Sequence, residues 1–255
     1  MVNADKLIIT EIDQITCFNN ANELEFIMDE VQEGSVNNTQ DKEDITGRGG
    51  RKIGSLKKNK GVTISATSGV VVAGALAAQT GTDVEHGTFK VRKTEIVSVE
   101  NNKATITGTP VGSAGSEIGY VYIKEKNALG KKFSQDATAS ATGKFAFSGK
   151  DLTFFESDIN DGTEIVVFYD EEVESAKVSN DSEKYSKVLK MYIDVTAQDT
   201  CDNLYHGQFI VERADFNGEF ELSMGGDPTV HSIEAESLAG GCSGSSKLWD
   251  FIVYE

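Results

Sequence analysis

Few residues in this chain could do chemistry, and the three histidines come first. His86, His206 and His231 are far apart in the sequence. None lies in an H-E-x-x-H or H-x-H pattern, in which two nearby imidazoles could bind one metal ion. The sequence therefore predicts no metal centre.

Two further motifs come close to known sites, and each fails at one position. Ser243 in GGCSGSS is followed by Ser245, where the nucleophile elbow G-x-S-x-G requires glycine. Asp158 begins an acidic run that resembles a calcium loop, but Thr163 stands where the EF-hand needs glycine. A pair of glycosidase-type carboxylates is defined by distance in space, so the sequence leaves it open. We expect no catalytic, cofactor-binding or metal-binding residues and no enzyme.

The basic segment that begins with GRGGR at Gly47–Arg51 could contact phosphate groups. It lacks the G-x-x-x-x-G-K-[ST] pattern of a phosphate-binding loop. An RGG-like contact with nucleic acid stays open, but we favour a flexible loop whose positive charge meets an acidic neighbour, such as another copy of the chain. The candidate inter-subunit contacts are Arg48, Arg51, Lys57 and Lys58.

The overall charge argues against a protein that binds nucleic acid specifically. The chain has 255 residues, with 41 acidic and 24 basic side chains and a net charge of −17. Such a surface repels phosphates, which is useful in a channel that DNA must pass without sticking. The three cysteines indicate a reduced, intracellular origin rather than a disulfide framework. The N-terminus resembles no signal peptide, and the apolar run Val70–Ala78 is too short to span a membrane.

Period-two alternation predicts the elements that would position any site. The stretch Tyr205–Ala239 reads as three strands separated by turns, and its middle strand places Phe220, Leu222 and Met224 opposite Glu219, Glu221 and Ser223. Similar alternation predicts strands at Val62–Ala66 and at Leu189–Val195, and a closing strand with Trp249 on its apolar face. One helix is predicted at about 68–80, with Ser68 as N-cap and Gly81 as its stop.

The predicted fold is mainly β: an antiparallel β-sandwich or distorted barrel with one flanking helix and long loops. We expect one elaborated domain over residues 1–255. Residues 33–50 are polar and rich in glycine, which predicts a long exposed loop used in assembly. Residues 128–161 are predicted to be an elaboration of this domain.

Two runs of the sequence resemble the tail tube (major tail) proteins of tailed bacteriophages. One is VLKMYIDVTAQDTCDNLYHGQFIVERADFNGEFELSMGGDPTVHSIEAESLA, and the other is GRGGRKIGSLKKNKGVTISATSGVVVAGALAAQTG. The shared features are the order of strands, an N/D-G turn and a helix beside the sheet. The resemblance covers about half of the chain.

The resemblance implies a structural virion protein, made in the host cytoplasm, that forms rings stacked into a hollow tube. The rings would usually be hexameric, and the genomic DNA would pass through without specific binding. The implied partners are other copies of the chain, with the tape measure, tail terminator and sheath proteins as further candidates; no membrane is implied. Candidate acids at the lumen or at a subunit seam are Glu219, Glu221, Glu234 and Glu236.

Two other classes stay open at this point. One is another virion component, such as a capsid decoration or capsid protein. The other is a carbohydrate-binding or adhesin β-sandwich module, which would show exposed aromatic side chains on one face.

Overall fold

The computed structural model describes residues 6–126, 128–156, 158–222, 230–240 and 245–254. Strands account for 61% of the structure and helices for 5%, which confirms the mainly β prediction. The chain divides into two compact units, because residues His86–Lys177 contact mainly one another and form the second unit. The segment 128–161, predicted to be an elaboration, lies inside this second unit.

The first unit contains an eight-stranded sheet and the helix α1 (Ala73–Thr80). Its strands are β1 (Leu7–Phe18), β2 (Leu24–Met28), β3 (Val31–Thr46), β4 (Lys52–Ser68), β12 (Val188–Asp199), β13 (Leu204–Phe216), β14 (His231–Ser237) and β15 (Asp250–Tyr254). They lie in the order β2-β1-β12-β13-β14-β4-β3, and β15 also pairs with β13. The pairings between these strands are antiparallel.

The core of the first unit lies against one face of this sheet. In β12 every second residue from Leu189 to Ala197 is buried, as the alternation predicted. Val62, Ile64 and Ala66 of β4 pack in the same cluster as Ile233 and Ala235 of β14. Full burial of each large aliphatic side chain contributes about 1.5–3 kcal/mol.

The helix α1 begins later than predicted. Its N-cap is Val72, whereas Ser68 is the last residue of β4 and its hydroxyl accepts a hydrogen bond from the Val70 N–H. The predicted stop is confirmed: Gly81 adopts φ 71°, and its N–H donates to the carbonyl of Ala77.

A buried hydrogen-bond network fixes α1 to β14. His231 is fully buried, and its Nδ1 accepts a hydrogen bond from the Val72 N–H at 3.3 Å. The proton must therefore reside on Nε2, which donates to Oε1 of Gln79 at 2.9 Å. Gln79 in turn donates to the carbonyl of Ser232. Burial lowers the pKa of His231 and keeps the imidazole neutral.

The segment 33–50, predicted as a loop, is exposed but belongs to a long hairpin. Val31–Thr46 forms β3 and pairs with β4 from Val31↔Ser68 to Thr46↔Lys52, around a 3-10 turn at Arg48–Gly50. The sequence shows no alternation here because neither face of the outer hairpin is buried, so its strands are specified by backbone pairing alone.

The prediction of a strand that begins at Glu219 is wrong for residues 219–222. β13 ends at Phe216, and residues 217–222 form no strand. Ser223, Met224, the turn at Gly225–Pro228 and residues 241–244 of the GGCSGSS segment lie outside the described residues. The third predicted strand is confirmed as β14, and the closing strand as β15, where Phe251 stacks on Phe209 with ring centroids 4.3 Å apart.

The second unit contains a seven-stranded sheet. Its strands are β5 (Glu85–Ser98), β6 (Lys103–Thr105), β7 (Ile118–Lys124), β8 (Leu129–Gln135), β9 (Lys144–Ser148), β10 (Asp151–Phe154) and β11 (Glu164–Lys177). They lie in the order β5-β11-β7-β8-β9-β10-β6, in which β8 and β9 are parallel. The core of this unit includes Val121, Phe133, Phe145 and Tyr169. The predicted turn at Asn101-Asn102 is confirmed, since both residues have positive φ.

Candidate assembly surfaces

The outer half of the β3–β4 hairpin, residues 41–60, forms a two-stranded arm. Asp41 pairs with Lys58 and Ile45 with Gly54, so the backbone is hydrogen-bonded nearly to the tip. No residue of the arm is buried. A two-stranded ribbon with both faces in solvent gains little stabilisation from burial of its own side chains.

The arm is positively charged in an otherwise acidic protein. It carries seven basic and three acidic side chains, a net charge of +4, against −17 for the whole chain. Lys58 pairs with Glu43, and Lys52 with Asp44, each at 2.6 Å. Each of these exposed pairs contributes at most about 1 kcal/mol.

The other predicted contact residues lack such partners. Within the described chain, no ion pair joins Arg48, Arg51 or Lys57 to a carboxylate. Lys57 lies directly opposite Lys42 in the register, an arrangement of like charges that is unfavourable without a nearby anion. At the tip of the arm, Arg48 and Arg51 therefore have no ion-pair partner within the described chain.

The arm also exposes three aliphatic side chains. Ile45, Ile53 and Leu56 are 49%, 62% and 54% exposed. Ile45 and Leu56 lie on the same face, because Ile45 pairs with Gly54, two residues from Leu56 on β4. The arm thus combines apolar contact groups with positive charge.

The predicted acids of β14 lie on one exposed face. Glu234 and Glu236 alternate with the buried Ile233, Ala235 and Ser237. Their cross-strand neighbours in β4 are Ser65 and Thr63, which makes this face polar.

Asp215 of β13 pairs directly with Glu236, so a third acid, which sequence reasoning missed, belongs to this face. Glu219 and Glu221 are exposed but lie in the segment after β13, outside any strand. The structure therefore groups two of the four predicted acids on one strand.

A cleft between β1 and β3 was not predicted. The sheet curls so that these strands approach each other without pairing, and the cleft between them has a volume of about 600 Å³. Its floor includes Ile193, Val195 and Phe209, and Ile9 and Gly34 belong to its two walls. Ile9 pairs with the buried Ala197 yet is 47% exposed, because the sheet is open here.

Both walls of the cleft have unpaired backbone. Among the described strands, β1 pairs with β2 only from Ile15 onward, and β3 pairs only with β4. Free edges of this kind can accept a further strand. The sequence contains little indication of this cleft, because only the curvature of the folded sheet brings residues 9–12 near residues 31–36.

The most densely bonded carboxylate of the second unit has a structural role. Glu95 accepts hydrogen bonds from the N–H groups of Thr107 and Gly108, at 2.9 and 3.1 Å, and from the hydroxyl of Tyr169. Burial favours a higher pKa for Glu95, but these donors outweigh it and lower the pKa. A carboxylate saturated by such donors fastens β5 to the following loop and is a poor base.

No group of three or more metal-ligating side chains occurs in the part of the chain that the structure describes. No helix among the described residues is long and apolar enough to cross a membrane.

The comparison with protein families agrees with the prediction from the sequence. The model of the YomU/Tube protein family matches residues 7–248, and the chain belongs to this family. The match supports a phage tail tube protein and covers nearly the whole chain, well beyond the two runs that carried the resemblance. No curated protein matches the chain.

Proposed function

We propose that the protein is a structural subunit of a phage tail, without enzymatic activity, that self-assembles into stacked rings to form the tail tube. Membership of the tube family supports a structural virion component. The rings would be hexameric, and the tape measure, tail terminator and sheath proteins would be further partners.

The arm carries this proposal. An ordered hairpin with no buried residue, a net charge of +4 and three exposed aliphatic side chains has no evident task within one chain. In a ring or tube it would contact acidic surfaces of neighbouring copies and set their register.

The acidic surface supports the second part of the proposal, the passage of DNA. Six copies at −17 each carry a formal charge of −102. Glu234 and Glu236, with Asp215 beside them, are the proposed lumen or seam acids, and Glu219 and Glu221 are proposed near them. Carboxylates along the lumen would keep the DNA backbone from binding to the wall.

Negative-stain electron microscopy of concentrated purified protein tests the proposal. Hollow rods about 100 Å wide are expected; the resemblance to tail tube proteins implies this scale, and it is consistent with rings of packed sheets whose layers lie about 10 Å apart. Shells or trimers would instead indicate a capsid component. Particles that remain monomeric at high concentration would contradict self-assembly.

A further inference from the structure

We propose that the β1–β3 cleft of one copy receives the arm of a second copy. This inference rests on the proposed self-assembly and names the surface that the arm contacts. Three observations lead to it: the shape of the cleft, the apolar side chains of the arm and the charges of both.

The cleft exposes part of the core face of the sheet. Ile9 lies on the same face of the sheet as the buried residues of β12, yet it is 47% exposed. Val195 and Phe209 contribute to the floor of the cleft. Exposed apolar surface of this kind costs about 25 cal/mol for each Å², so covering it stabilises an assembly.

The arm supplies side chains of matching character. Ile53 and Leu56 are among the most exposed aliphatic residues of the first unit, at 62% and 54%. The strand Asp41–Thr46 alone extends roughly 20 Å, at about 3.3 Å per residue, so the arm can carry these side chains to another molecule.

The charges of the two surfaces are complementary. Glu11 and Glu33 are exposed on opposite walls of the cleft. The arm has a net charge of +4, with Arg48, Arg51 and Lys57 lacking ion pairs in the described chain. Opposite charges around an apolar centre favour one partner and one register.

The contact joins two different surfaces, an arm and a cleft. Such a heterologous interface repeats from copy to copy and generates closed rings or stacked polymers rather than isolated dimers. The unpaired edges of β1 and β3 would then be covered in the assembly.

Disulfide cross-linking between two singly substituted proteins tests the assignment. The background carries Cys201→Ser and Cys242→Ser, and Cys17 is left in place because it is buried. One protein carries Leu56→Cys and the other Ile9→Cys. The two are mixed, assembled and mildly oxidised, so that a cross-link between the new thiols can form only between copies.

The matched control replaces Ile9→Cys by Ile96→Cys, at a position of comparable exposure in the second unit. We expect at least tenfold more cross-linked dimer from the Leu56→Cys and Ile9→Cys pair than from the control pair. Unchanged melting temperatures would show that all three single variants fold.

The outcomes separate this inference from the proposed function. If rods form without preferential cross-linking, the arm docks elsewhere and the cleft assignment is overturned, while the tube proposal stands. If the unsubstituted protein forms no assemblies, the proposed function fails, and this inference fails with it.

Discussion

The two halves of the β3–β4 hairpin share one backbone ladder but differ in what surrounds them. In the inner half, β4 alternates buried and partly exposed residues from Val62 to Ser68, and it pairs with β14 as well as β3. In the outer half, from Lys52 to Lys60, β4 pairs only with β3 and buries nothing. Residues of the inner half are therefore constrained by the folded core, whereas residues of the outer half are free to be selected for contacts with other molecules.

The largest expected effect on stability is in the inner half. Ile64→Ala removes a side chain that is only 1% exposed, and should lower the free energy of unfolding by about 2–5 kcal/mol through lost burial and a cavity. The matched change in the arm, Leu56→Ala, should alter it by no more than about 0.5 kcal/mol. Chemical denaturation measures both. Equal losses would show that the arm belongs to the folded core.

The next effect concerns assembly rather than stability. The double substitution Arg48→Glu and Arg51→Glu should raise the concentration needed for polymerisation by tenfold or more, because it places acids against an acidic neighbour. Light scattering and microscopy measure this.

The control for that prediction is Lys90→Glu with Lys126→Glu, which changes the net charge equally at exposed sites of the second unit. If the arm substitutions leave polymerisation unaffected, the proposed role of these two arginines in assembly is contradicted. If the control variant inhibits polymerisation equally, the change in net charge rather than the position of the two arginines explains the effect.

A moderate effect is expected at the junction of α1 with β14. Because burial lowers the folded-state pKa of His231, the unfolded chain takes up the proton first as the pH falls. The free energy of unfolding should therefore decrease as the pH drops below about 6.5, the ordinary histidine value, towards the lower folded-state pKa.

His231→Gln isolates this contribution, since all other titrating groups are retained. It should lower stability at pH 7 by about 1–3 kcal/mol, because partners of the imidazole lose a buried hydrogen bond. Its stability should vary less between pH 7 and pH 5 than that of the unsubstituted protein. If the stability of the variant and of the unsubstituted protein falls equally between pH 7 and pH 5, groups other than His231 cause the acid sensitivity.

The smallest effect is expected at the exposed ion pair of the arm. Lys58→Ala removes the contact with Glu43 and should change the free energy of unfolding by less than about 1 kcal/mol. A larger loss by denaturation would mean that the arm contributes to folding through this pair.

The hairpin also shows which parts of the fold the sequence can predict. Alternation predicted β12, β14 and the inner half of β4 because one face of each strand is buried. It failed for the arm, where no face is buried, and for Glu219–Leu222, where Phe220 and Leu222 keep the alternation in partial burial but form no strand. Period-two alternation therefore indicates which side chains are buried. It indicates a strand only where the backbone also pairs with a neighbouring strand.

The candidate surfaces were predictable to a smaller degree. The basic residues of the arm and the exposed acids of β14 are readable from charge and alternation. Asp215 and the β1–β3 cleft depend on strand register and sheet curvature, which bring distant residues together. Lys58 illustrates the difference, because its pairing with Glu43 follows only from the unpredicted hairpin.

A chain with a shortened arm would show whether the arm is required for assembly but not for folding. In this variant residues 41–58 are replaced by a two-residue Asn-Gly turn, which favours hairpin closure. The shortened chain should keep a thermal midpoint close to that of the full chain, and it should form no rods in electron micrographs at concentrations where the full chain polymerises. Rods of normal length and abundance from the shortened chain would show that the arm is not needed for assembly.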